Sequence, residues 1–360
     1  MKLGFGLYRH MLDEAHYDFA AQCGATHLVV HLVDYFNQGD QKTKDQPIGG
    51  LNGWGVAGDP DKIWEVADLK RLKSQIEAKG LVWYAIENFD PAHWHDILLD
   101  GPKRTKQIEQ VKQIIRNVGE AGIPVIGYNF SLAGVAGRAT GRTSRGDAEC
   151  VVMNGLEEIN TAPIRQGMVW NMWYDKPGES FLPEISSEEL WRRLERFLQE
   201  VVPVAEEAGV RLAAHPDDPP LERVRGQPRL VNQPSLYDRL LEAKPSYHNS
   251  IEMCLGTVQE MTEGDVYEVA NKYSKFPDGL GRNMMPYVHL RNVSGKVPYY
   301  RETFIDEGDI DVLRVMRILK KNGYDGVIIP DHAPQMSCDA PWYAGMAFAM
   351  GYLKAAMQAA

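Results

Sequence analysis

The chain has 360 residues, 44% of them hydrophobic and 24% charged, and its net charge of −10 excludes nucleic acid as a partner, because an acidic surface repels a polyanion. No uncharged apolar run approaches the ~20 residues of a membrane span, so no membrane partner is expected. Four scattered cysteines (Cys23, Cys150, Cys254, Cys338) form no CxxC pair and cannot staple so long a chain, which points to reduced thiols and a cytoplasmic setting.

From the N-terminus, Met1 leads into an apolar run at 3–8 and not into a signal-peptide pattern. Similar runs, rich in Val, Ile, Leu and aromatics, follow at 26–32, 81–86, 124–130, 210–215, 246–253, 287–291 and 326–330, as expected of parallel strands buried on both faces. Between them, 61–79 repeats Ile63, Val66, Leu69, Leu72 and Ile76 at helical spacing and stops at Gly80. Residues 103–120 do the same with Ile108, Val111, Ile114, Ile115 and Val118 ahead of Gly122. Ser186-Ser-Glu-Glu is a capping signature that predicts a helix to Ala208, closed by Gly209. Further helices are predicted over 309–321 and 343–357. Helix, glycine, strand recurs along the chain, the local chemistry of αβ loops.

Eight strand–helix units predict an α/β fold, a (β/α)8 (TIM) barrel spanning 1–360. An open doubly wound sheet is the alternative, but no GxGxxG turn follows the first strand. Residues 131–185 break the rhythm. They are too long for a βα loop and rich in Gly, Arg and Asn, then Trp and Pro, which predicts an insertion after the fourth strand that lies over the C-terminal face of the barrel as a lid. Its aromatics Trp170, Trp173 and Tyr174 suit either a lid or an interface in a homo-oligomer.

In such a barrel the C-terminal strand ends face the active site. The last four predicted strands end in His215, in Glu252-Met-Cys254, in His289 and in Asp331-His332, and the third and fourth end in Glu87 and in Tyr128-Asn129. Singly, a histidine is more often a bonded core residue, a cysteine a small hydrophobe, and an aspartate a helix cap. Together, His215, Cys254, His289 and Asp331 form a borderline-soft donor set from consecutive strands, suited to one Mn, Fe, Co or Zn ion. In the run His215-Pro-Asp-Asp-Pro-Pro220, three prolines stiffen the turn, and Asp217 and Asp218 either orient a ligand histidine or form that turn.

That run, with Glu-Met-Cys-Leu-Gly-Thr at 252–257, Val-His-Leu-Arg-Asn at 288–292, Gly-Tyr-Asp-Gly at 323–326, Pro-Asp-His at 330–332 and Tyr-Asn-Phe at 128–130, resembles the D-mannonate dehydratase family of the xylose-isomerase-like barrels. The resemblance implies removal of water from D-mannonate to give 2-keto-3-deoxy-D-gluconate with a divalent ion, typically Mn2+. It implies His215, Cys254, His289 and Asp331 as metal ligands and His332 and Tyr343 as acid/base groups. The pattern departs at 131–143, which is glycine-rich with Arg138 and Arg142, and at Trp342-Tyr343-Ala-Gly, where the family carries an arginine. The N-terminal part matches poorly. The departures point to a retained scaffold with a changed substrate rim.

The chemistry makes its own demands. Eliminating water from an aldonate removes a proton next to a carboxylate, so a base, an acid and stabilisation of negative charge are needed. His332, an imidazole beside a proposed ligand, suits either proton-transfer role. Arg291, Arg138 or Arg142 suit a bidentate grip on the carboxylate, and Asn129 and Glu87 suit its hydroxyls. A metal-dependent sugar isomerase or epimerase needs nearly the same groups and is the alternative; a non-catalytic sugar-binding barrel is the third reading.

Overall fold

The computed structural model describes residues 1–38, 45–48, 50–275 and 283–360. Eight parallel strands close on themselves in chain order: β1 (Lys2–Leu7), β2 (His27–Val30), β3 (Val82–Glu87), β4 (Val125–Tyr128), β5 (Arg211–Ala214), β6 (Asn249–Cys254), β7 (Tyr287–His289) and β8 (Val327–Ile329). Register runs on around the ring, Leu212 opposite Asn249, Cys254 opposite His289, His289 opposite Ile329 and Lys2 opposite Val327. All eight expected strands are present; β1 and β3 keep their expected length shifted by one residue, and the other six are shorter by two to three residues. The interior is solid: Val29, Ala85, Val125, Ala213, Tyr287, Val327 and Ile329 pack across it. Small residues make that possible. A Cβ on Gly127 would lie 2.0 Å from the Tyr287 hydroxyl and 2.4 Å from Glu252 Oε2.

Helices α1 (Glu14–Gln22), α2 (Val66–Glu77), α3 (Arg104–Glu120), α4 (Ser187–Ala208), α5 (Leu236–Ala243), α6 (Val266–Tyr273), α7 (Val312–Lys321) and α8 (Pro341–Ala359) follow the eight strands in turn. Helix α4 is capped as expected, by Ser186 Oγ accepting from the Glu189 amide and by Gly209 at φ 69°. Helix α2 starts later than its apolar repeat suggests. Pro60 and an Asp59 carboxylate that accepts from the Asp61 amide hold the preceding residues in a turn.

Three βα loops interlock at the C-terminal ends of the strands. Ala139–Ser144 and Ala148–Asn154, after β4, join Tyr299–Thr303 and Asn292–Lys296, after β7, in one antiparallel sheet. Gly55–Val56, from the loop after β2, pairs with Met172–Trp173, which pairs in turn with Met168–Val169. The expectation of one insertion therefore undercounted: the β2 and β7 loops are built into the same layer.

Candidate active site

A cavity opens where β1–β5, β7 and β8 end. Its wall holds His215, His289, Asp331, His332, Glu87 and Asn129 from the strand ends, with Tyr8, His31 and Asp218 beside them. Val135, Arg138 and Trp170 of the 131–185 segment, and Gln46, Pro47 and Trp54 of the β2 loop, complete it.

At its floor the four expected ligands converge. Donor atoms of His215, Cys254 and His289 all lie within 4.8 Å of one another. Asp331 reaches Cys254 Sγ at 3.9 Å through Oδ2 and His289 Nδ1 at 3.7 Å through Oδ1. The Pro216 carbonyl, which can only accept, lies 2.6 Å from His215 Nδ1, so that nitrogen carries a proton and Nε2 is the one a cation would take. Both ring nitrogens of His289 are buried with no aligned hydrogen-bond partner. A buried imidazole left this way, beside a thiolate and a carboxylate, fits a cation ligand.

The electrostatics agree. Burial works against charge on Cys254, yet Arg291 and the pairings with His215 and His289 bring the thiol down to about 6. Burial also opposes the His215 imidazolium, but pairing with Cys254 and the charge of Glu252 lift it to about 10. Asp331 is held well below the carboxylate range despite burial, by His332, His289 and Arg291. Against its own burial, Glu87 is brought down to about 2 by His31 and His289, while burial and the charge of Glu87 raise Glu252 to about 8.

His332 follows Asp331 where β8 has ended, and the turn brings both side chains to the cavity. Its Nδ1 lies 2.6 Å from Glu302 Oε2 and its Nε2 3.3 Å from Asp331 Oδ2. Arg138, 5% exposed, donates to Asp218 at 3.2 Å and faces Glu302 at 3.6 Å. Asn129 donates to the Pro216 carbonyl and accepts from Trp170 Nε1, which fixes the amide at the wall.

Three expected site residues stand elsewhere. Arg291 is 1% exposed and fully engaged: Nε donates to Asp331 at 3.0 Å, one terminal nitrogen to Glu260, the other to Asp218 at 3.0 Å and Thr257 at 3.3 Å. It has no donor left for a substrate and instead fixes Asp331. Arg142 is exposed on its strand and absent from the cavity wall; Arg138, just ahead of that strand, is the arginine that lines it. Tyr343, 38% exposed at the start of α8, bonds His16 Nε2 at 3.1 Å and packs on Phe19, away from the wall. Asp217 is the turn former, its carboxylate accepting from the Leu230 and Val231 amides and from Arg229. Trp170 is 2% exposed and lines the cavity, so it presents no interface; Tyr174 is stacked on His95.

Four groups at the site escaped sequence reading. Glu252 had a signal: it lies two residues before Cys254 on one strand and so shares its side. His31 and Tyr8, at the ends of β2 and β1, had the strand-end signal but no familiar motif around them. Glu302 had none, because only tertiary pairing of the Tyr299–Thr303 strand brings it beside His332.

The D-mannonate dehydratase family model matches residues 42–359. The mannonate dehydratases of Streptococcus pneumoniae and Lactococcus lactis are each 32% identical to the chain, over 75% of it and over 75% and 79% of their own lengths. The crystal structure of mannonate dehydratase from Streptococcus suis superposes with a TM-score of 0.75 at 26% identity, covering 100% of this chain and 93% of that one. D-psicose 3-epimerase from Clostridium cellulolyticum shares the barrel fold at a TM-score of 0.59 and 10% identity.

Proposed function

The chain belongs to the mannonate dehydratase family of hydro-lyases, and from that premise we propose that it removes water from D-mannonate, or a close hexonate, to give the 2-keto-3-deoxy acid. The observation that carries the reading is the placement of His332, with Glu302 behind it, beside the converging His215, Cys254, His289 and Asp331. Those four would hold a divalent ion, Mn2+ being the family's usual choice. Such an ion, when bound, supplies Lewis-acid stabilisation of the charge that builds on the substrate carboxylate.

The chain's own groups do the rest. Arg138 supplies the positive charge for the carboxylate, and Asn129 and Glu87 meet hydroxyls. His332 takes the proton from C2, with Glu302 stabilising the imidazolium that results. The C3–O bond breaks as its electron pair leaves with the hydroxyl, which must be protonated. Tyr8 is on the wall for that step, and burial together with Asp331 and Glu87 keeps its phenol protonated. The enol acid so formed tautomerises to the keto acid. Residues 131–185, with Arg138 and Trp170, act as the lid that excludes water. No helix among the described residues is long and apolar enough to cross a membrane, in keeping with a small soluble substrate.

The test is incubation of Mn2+-loaded protein with a panel of hexonates, pentonates and parent sugars, following 2-keto-3-deoxy acid formation. Turnover of D-mannonate with release of one water supports the reading. Interconversion of neutral sugars without elimination replaces it with the isomerase or epimerase reading.

A further inference from the structure

His31 stands on the cavity wall with no part in the mechanism. It follows β2, its amide donating to the Leu7 carbonyl at 2.9 Å, and its side chain is 12% exposed. The ring is gripped on a face and on an edge. Tyr8 stacks on it with centroids 4.7 Å apart and planes 28° from parallel. The Tyr35 hydroxyl meets its Nδ1 at 3.3 Å and also accepts from Asn88 Nδ2 at 3.0 Å. Three consecutive strand ends, β1 to β3, thus hold one imidazole in one orientation. Nε2 is left over. Among the described residues it has no aligned hydrogen-bond partner, and Glu87 Oε2 stands off at 3.7 Å. A ring fixed on two sides and left one bond short is open to a ligand from the cavity.

We propose that His31 is a specificity-determining residue: its Nε2 and the Glu87 carboxylate together hold one hydroxyl of the acid beyond C3. The inference rests on the hexonate reading above and names the part of the substrate that the site checks. An oxygen about 2.8–3.0 Å from both atoms spans their 3.7 Å gap. A hydroxyl both donates and accepts, so it answers Nε2 in either tautomer of the ring. A methylene does neither and leaves both groups desolvated and unpaired. The place along the substrate follows from the ring of strands. β2 stands across the barrel from β6, and Arg138 is held on that far side through Asp218 after β5 and Glu302 after β7. With the carboxylate at Arg138, the hydroxyl at His31 comes from C4, C5 or C6. Tyr8, His31 and Tyr35 also precede residue 42, where the family match begins, so the family's shared stretch does not set this corner of the cavity.

The experiment compares kcat/KM of the Mn2+-loaded enzyme for D-mannonate and for hexonates deoxygenated at C4, C5 or C6, in the wild type, His31→Phe, His31→Gln and Tyr35→Phe. Wild type should reject one of the three deoxy acids about 10–100-fold, the cost of leaving buried polar groups without their partner. His31→Phe keeps the stack on Tyr8 but has no ring nitrogen. It should lose about as much on D-mannonate, treat that deoxy acid as the wild type does, and retain its Mn2+ on dialysis. His31→Gln, whose amide can stand where Nε2 stood, should recover part of the preference. Tyr35→Phe, which frees the other edge of the ring, should lose part of it. Equal losses on all four substrates in His31→Phe, or loss of its ion, would make the ring a structural support and overturn the proposal. So would a wild type that accepts all three deoxy acids as well as D-mannonate. If His31→Phe does not fold, the wild-type panel and Tyr35→Phe still decide. A wild type that dehydrates no hexonate overturns the proposed function itself, and this inference with it.

Discussion

Replacing Glu302 with glutamine tests whether the pair behind the proton-transfer step is functional. Glu302 Oε2 lies 2.6 Å from His332 Nδ1, with side chains only 4% and 10% exposed, so solvent screens the contact little. The pair is close but not aligned as a hydrogen bond at rest; a charge-assisted bond formed as His332 takes up a proton contributes about 1.5–3 kcal/mol. Developed mainly when His332 becomes cationic, it lowers the barrier, and at about 1.4 kcal/mol per decade its loss slows kcat about 10–100-fold. Glu302 is not on the wall of the substrate cavity but faces Arg138 at 3.6 Å, so KM should shift too, by less than kcat. His332→Asn removes the proton-transfer group and should cost about 10²–10⁴ in kcat. The double variant should be no slower than His332→Asn alone, because the two act as a unit. Steady-state kinetics with D-mannonate and saturating Mn2+ decide the matter. A folded Glu302→Gln enzyme with kcat within twofold of wild type, or additive effects in the double variant, would refute the reasoning.

Cys254→Ser exchanges a thiolate for a neutral hydroxyl and should weaken retention of Zn2+ more than that of Mn2+, checked by ion content after dialysis against each metal. Arg138→Ala should raise KM for a hexonate at least tenfold while leaving inhibition by the corresponding neutral alditol nearly unchanged; equal effects on both would remove Arg138 from the carboxylate. Tyr343→Phe should keep kcat within twofold, since the lost hydroxyl reaches only His16, and a loss of a hundredfold or more would return Tyr343 to the site.

The barrel was legible because its strands are short apolar runs with glycine ahead of them, and the interior demands that composition at every strand. The convergence of His215, Cys254, His289 and Asp331 was legible for a related reason: the C-terminal end of each strand is a fixed place in the fold, so sequence position translates into space. Arg291 shows where that translation stops. It too stands at a strand end, but whether a guanidinium meets substrate or its own carboxylates depends on Glu260, Asp218 and Asp331, which approach from three other segments. Arg142 failed on position along the chain: the cavity wall takes Arg138 just ahead of the loop strand, and Arg142, further along that strand, stands in solvent. Glu302 lay on a loop strand whose partner, Ala148–Asn154, is far away in sequence, and no local pattern announces such pairing.

Charge explains why these pieces form one system. Among the described residues, Asp218, Glu260, Glu302 and Asp331 crowd around Arg138 and Arg291, Glu87 and Glu252 flank His289, and the nearby Arg229 is taken up by Asp217. Arg291 is spent inside the cluster. A site of this sign repels a sugar acid at close range, where water is thin and a unit charge 4 Å away acts with about 4 kcal/mol at an effective dielectric of 20. The imidazoles paired with these carboxylates and the thiolate offset that sign only in part, whereas a divalent cation between them would reverse it. Arg138 is the one cationic side chain on both the wall and the loop segment, so it is positioned to add the last positive charge as the substrate enters. The acidic surroundings therefore make anion binding conditional on the loaded ion. Protein stripped with chelator should lose affinity for the hexonate itself, not only turnover, and equilibrium binding to stripped protein at the affinity of the loaded form would break this account.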